Sequence, residues 1–125
     1  MMKFAFALAI LLGAAWPASA QHAHGAKGPN GGQMEDVAGV HAELVTSGKT
    51  ITINVFDEGG KPIDTKAYSG SVLIVSGASR ETVQLKSAGS NALKADAKDA
   101  VGPAAAITLM IKTDAGKTGQ ARFKR

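Results

Sequence analysis

Cysteine is absent from all 125 residues of this chain. That excludes disulfides, thiolate nucleophiles and soft thiolate metal ligands at once, and leaves stability to the hydrophobic core. Aromatic residues are scarce: past residue 20 there are only Phe56, Tyr68 and Phe123. Nucleic-acid binding joins a basic stripe to aromatic stacking. Here 14 Lys and Arg face 10 Asp and Glu spread along the sequence, so no nucleic-acid partner is expected. Beyond the first 20 residues there is no apolar stretch of spanning length, no basic amphipathic helix and no cysteine to carry a lipid. No membrane attachment is therefore expected once those residues are removed. Histidine is also confined, to His22, His24 and His41, with none afterwards.

What is present begins with a charge at Lys3, an apolar run from Phe4 to Ala15, and Ala18-Ser19-Ala20. The run is shorter than the roughly 20 residues that cross a bilayer, and an Ala-x-Ala site follows it directly, which spells a secretory signal peptide over 1–20. The expected product starts at Gln21, is periplasmic, and has the length of one domain.

Residues 21–33 are rich in Gly and polar residues and hold no large apolar side chain, so they read as a flexible His/Gly-rich arm. From 34 to 125, short runs rich in Val, Ile and Thr alternate with turn residues, the pattern of an all-β antiparallel sandwich of Ig-like type. Seven strands are predicted: Val40 to Thr46, Thr50 to Phe56, Ser69 to Ser76, Glu81 to Lys86, Ala92 to Ala95, Ala105 to Lys112 and Gly119 to Lys124. Strict alternation assigns Val40, Ala42 and Leu44, then Ile51, Ile53 and Val55, and later Ile107, Leu109 and Ile111, to the core. Val72-Leu73-Ile74-Val75 is a continuous apolar run, as in a central strand covered on both faces. Asp57-Glu58-Gly59-Gly60-Lys61-Pro62 and Asp114-Ala115-Gly116-Lys117 are turns, the second a hairpin between the last two strands.

Chemistry must come from few side chains. His22-Ala23-His24 beside a free amine suits the square-planar preference of Cu(II) and Ni(II), and as readily describes two polar residues in a loose arm. Alternation places His41 and Glu43 side by side on the face opposite the core, an imidazole and a carboxylate fit for Zn(II) or Cu(II), or else a plain hydrogen-bonded pair. Met34 offers a thioether that favours Cu(I), and Met110 is a second exposed thioether.

Gly28-Pro29-Asn30-Gly31-Gly32, followed by Glu35-Asp36 and then Gly39-Val40-His41-Ala42-Glu43-Leu44-Val45, resembles a Gly-Pro-x-Gly-Gly…His-x-Glu-Leu signature. That signature occurs in small exported proteobacterial proteins and in the N-terminal metal-binding regions of periplasmic adaptor subunits of tripartite heavy-metal efflux pumps. The resemblance spans roughly residues 22–57. It implies handling of Cu, Zn, Ni or Co in the periplasm, with His24 and His41 in the positions of the family's histidines, Glu43 beside them, and an efflux-pump adaptor as a partner. In the family a histidine often stands directly before Gly-Pro and a doubled one at the strand; here Gly25-Ala26-Lys27 intervenes and Val40 precedes His41.

No Ser-His-Asp constellation or paired-carboxylate motif can be assembled, and an enzyme is not expected. Two readings follow. One is a periplasmic metal-binding protein supporting heavy-metal efflux or homeostasis, with a metal set of His22, His24, His41, Glu43 and Met34. The other is an Ig-like interaction module that binds a protein through an edge strand, with no metal.

Overall fold

A computed structural model describes residues 26–123; the expected signal peptide, His22, His24 and the last two residues lie outside that range. The described residues form eight antiparallel strands and no helix: β1 (Gln33–Val37), β2 (Val40–Ser47), β3 (Thr50–Phe56), β4 (Ser69–Ser76), β5 (Ser79–Ser87), β6 (Ala92–Asp96), β7 (Ala106–Lys112) and β8 (Thr118–Phe123). All seven expected strands are present to within a residue or two. The additional β1 was missed because Gln33-Met34-Glu35-Asp36-Val37 has almost no apolar alternation; its pairing with β2 makes it a strand.

Hydrogen bonding links the strands in the order β1-β2-β3-β6-β5-β4-β7-β8. The β5–β6 ladder contains just two pairs, Lys86 with Lys94 and Ser87 with Leu93, so two four-stranded halves meet there. The sheet curls until its outer strands approach, giving a nearly barrel-shaped body. The approach is tightest at Gly119 of β8, where a Cβ would lie 2.8 Å from the Ala38 amide nitrogen and 3.0 Å from Val37 Cγ2. A side chain cannot fit there, which is why glycine stands at that point.

The expected core residues all point inward. Ile51, Ile53, Val55, Val72, Leu93, Ile107 and Leu109 are fully buried and pack with Leu44, Ile111 and Phe123. Leu73 and Val75 face outward on β4, half-buried between β5 and β7, in keeping with the unbroken apolar run. Both anticipated turns form. The Asp57 carboxylate accepts from the Lys61 amide at 2.9 Å, and Thr113 and Lys117 close the final hairpin at 2.8 Å. Thr65, in the long β3–β4 connection, is buried and donates its hydroxyl to the Ala92 carbonyl at 2.8 Å, which ties that connection to the start of β6.

Two expectations follow. Gly119→Ala should cost about 1–3 kcal/mol in urea unfolding, because its methyl meets backbone that cannot yield. Burial, and secondarily the charge of Asp114, raise the Tyr68 hydroxyl above its ordinary pKa of 10.0. Folding therefore disfavours the phenolate. Stability attributable to the neutral ring is intact below pH 10 and falls as pH rises through the folded-state value. Tyr68→Phe should flatten that alkaline decline in a pH series of thermal melts.

Candidate functional site

β1 and β2 are joined by a two-residue turn, Ala38-Gly39, in which both residues have positive φ, 51° and 81°. Such a turn matches the twist of the strands it connects, although alanine is strained in this region. The register it sets pairs Asp36 with His41 and Met34 with Glu43. With side chains alternating, Met34, Asp36, His41 and Glu43 share the outer face, while Val37, Val40, Ala42 and Leu44 turn to the core.

His41 Nδ1 donates to Asp36 Oδ1 across the two strands. With the proton on Nδ1, the lone pair of the neutral ring is on Nε2. His41 is 22% exposed and Asp36 44%, so the pair is partly shielded but reachable. The two line a cleft of about 260 Å³ with Gly39, Val40 and Glu58. Glu58 comes from the β3–β4 turn, the same Asp57–Pro62 turn anticipated in the sequence. Asp36 and Glu58 were not foreseen as site residues. Asp36 could have been found from the tight Ala38-Gly39 turn, which sets it opposite His41; Glu58 enters through tertiary folding alone.

Glu43 has a different setting from the open position beside His41 that alternation suggested. Its side chain is fully buried. Oε2 accepts from the backbone amides of Asn30 and Gly32 at 2.8 and 2.9 Å, and Oε1 from the Asn30 side-chain amide at 2.8 Å. The loop at 28–32 lies directly on the carboxylate: a Cβ on Gly28 would sit 2.4 Å from Glu43 Cδ, and one on Gly32 would sit 2.1 Å from the Leu44 carbonyl oxygen. Gly31 between them has φ of 79°. Three glycines are thus needed for one loop, two for close approach and one for its conformation.

This also revises the picture of a flexible arm over 21–33. Its described part, 26–33, is tied down. Gly28 donates to the Gly32 carbonyl at 2.7 Å, Met34 donates to the Ala26 carbonyl at 2.8 Å, and Lys27 bridges Gln33. The order comes from hydrogen bonds onto a buried anion, which a count of apolar residues does not register.

Of the sequence-predicted metal ligands, His41, Glu43 and Met34 are therefore brought onto one face, with the Glu43 oxygens committed to the loop. His22 and His24 lie outside the described residues. Among the described residues no three His, Asp or Glu side chains converge on a point that could hold an ion. Met110 is 54% exposed on the outer face of β7, in the other half of the sheet.

Replacing Glu43 with Gln should turn an amide donor toward N–H groups that need an acceptor. The expected loss is about 2–4 kcal/mol of stability, together with loss of hydrogen-exchange protection at Asn30 and Gly32 while the β3 amides stay protected.

Comparison with protein-family models, with curated proteins and with solved structures finds no match to this chain.

Proposed function

We propose that this is a periplasmic protein that binds a transition metal ion, copper or zinc foremost, at His41, and that it serves heavy-metal homeostasis or efflux without catalysing a reaction. The observation that carries the reading is the His41–Asp36 pair at the cleft with Glu58. A carboxylate on one ring nitrogen fixes the tautomer and aims the other nitrogen, the usual support of a metal-bound imidazole. Glu58 adds a carboxylate at the same opening.

In this reading the remaining ligands are His22 and His24. Ala26 is bonded to Met34, two residues along β1 from Asp36. His24 stands two residues before Ala26 in the chain and His22 four. Glu43 then acts by holding the 28–32 loop rather than the ion, and Met34, diagonal to His41 on the same face, is the soft donor available to Cu(I). The resemblance of the Gly-Pro-Asn-Gly-Gly and His-Ala-Glu-Leu segments to the efflux-adaptor signature supports the same assignment, and an Ig-like sandwich, with the two four-stranded halves as its layers, is the finer fold we propose with it.

Residues 21–125 contain every strand and core side chain of the described residues, and are the material for the test. Titration calorimetry with Cu(II), Zn(II), Ni(II) and reductant-held Cu(I) should show one stoichiometric site. His41→Ala should abolish it and Asp36→Asn should weaken it about 10–100-fold. Unchanged affinity in His41→Ala, or nothing tighter than millimolar in the parent, overturns the proposal.

A further inference from the structure

The outer faces of the two halves differ in charge. On β1, β2, β3 and β6 the exposed outward charges are Asp36 and Asp96, with Lys94 the one cation, Glu43 being covered by the 28–32 loop. On β5, β4, β7 and β8 the outward positions contain no acid at all. They hold Arg80, Lys86, Lys112 and Arg122, with hydroxyl and amide side chains between them.

The register spreads these four cations around the margin. Ser69 pairs with Lys112, and Lys86 flanks it from β5; Arg80 pairs with Val75 at the other end, and Arg122 pairs with Thr108 on the outermost strand. Between them Leu73 and Val75 lie half-buried among hydroxyl and amide side chains, and Met110, 54% exposed, stands out. Lys86 also lies directly opposite Lys94 across the short β5–β6 ladder. Asp96 lines the same cleft as these two lysines, so their repulsion is already partly compensated within the chain, and the attraction for an anion rests on the four cations of the outer face. Asp114, in the β7–β8 turn, lies beyond the Lys112 end of the face.

We propose that this face docks on an anionic phospholipid surface. Four strands about 4.8 Å apart and about seven residues long make a face of roughly 400 Å². A charged lipid surface asks for neither a pocket nor shape complementarity. It rewards separated cations with no acid among them, each worth about a five-fold gain in partitioning, and it accepts a protruding thioether among the headgroups. The sequence conceals the feature, because each strand contributes only one or two cations and the intervening positions belong to the core.

The test is co-sedimentation of residues 21–125 with vesicles of phosphatidylglycerol mixed into phosphatidylcholine, against phosphatidylcholine alone, at low and physiological salt. Binding should require phosphatidylglycerol and weaken with salt. Arg80→Gln with Lys112→Gln, both exposed, should reduce partitioning at least ten-fold; Lys49→Gln with Lys61→Gln, an equal charge change elsewhere, should reduce it far less. Equal losses in the two double variants would reduce the effect to net charge and overturn the proposal. So would equal binding to both vesicles, or binding to soluble polyglutamate with none to vesicles.

Discussion

The Glu43 carboxylate is the constraint on which the N-terminal third of the structure depends. A buried anion must be compensated, and Asn30 and Gly32 do so with three donors drawn from a five-residue loop. That single requirement explains why the loop contains glycine where it touches Glu43, and why an otherwise polar strand such as β1 is preceded by ordered backbone. It also separates two roles that look alike on paper. His41 and Glu43 are two residues apart on one face, yet one ring keeps a nitrogen toward an open cleft and the other side chain is enclosed.

Much of the fold could be read from side-chain periodicity. Ile51, Ile53 and Val55, and Ile107, Leu109 and Ile111, are buried because a pleated strand with one covered face forces that spacing. β1 could not be read, since its inward set is Gln33, Glu35 and Val37, and only pairing to β2 recruits it. The sheet order was equally hidden. Alternation identifies which face a residue takes, whereas the insertion of β6 between β3 and β5 is decided by long-range pairing. For the candidate site, the sequence set His41 and Glu43 side by side, whereas the structure leaves His41 at the cleft and encloses Glu43, because alternation says nothing of what a loop 11 to 13 residues upstream will place over a strand. Asp36 and Glu58 reach the His41 cleft through a tight turn and a distant turn respectively, and their sequence contexts, an acidic pair and a turn, do not mark them as neighbours of His41.

The absence of cysteine takes on meaning against this architecture. With no covalent staple, closure of the curled sheet rests on packing at its margin, where Gly119 admits the backbone of Ala38. Polar locks assist at intervals: Thr65 on the β6 start, Asp96 accepting from the Thr50 hydroxyl at 2.9 Å, and Asn91 donating to the Val55 carbonyl at 3.2 Å. Each joins segments distant in the chain, so together they do some of what a disulfide would do in holding loops to strands.

The place of β6 in the sheet has a consequence in time. β1, β2 and β3 form a local meander, and β4 with β5 and β7 with β8 form hairpins, all built from neighbouring residues. The first half is completed only when Thr50 meets Asp96, a pairing 46 residues apart. Closing so long a loop is slow relative to hairpin formation. A chain emerging from its N-terminus must therefore wait, with one edge of β3 uncovered, until residue 96 has arrived. Until then that edge, flanked by Ile51, Ile53 and Val55, is the stretch of this protein most open to pairing with another copy of itself.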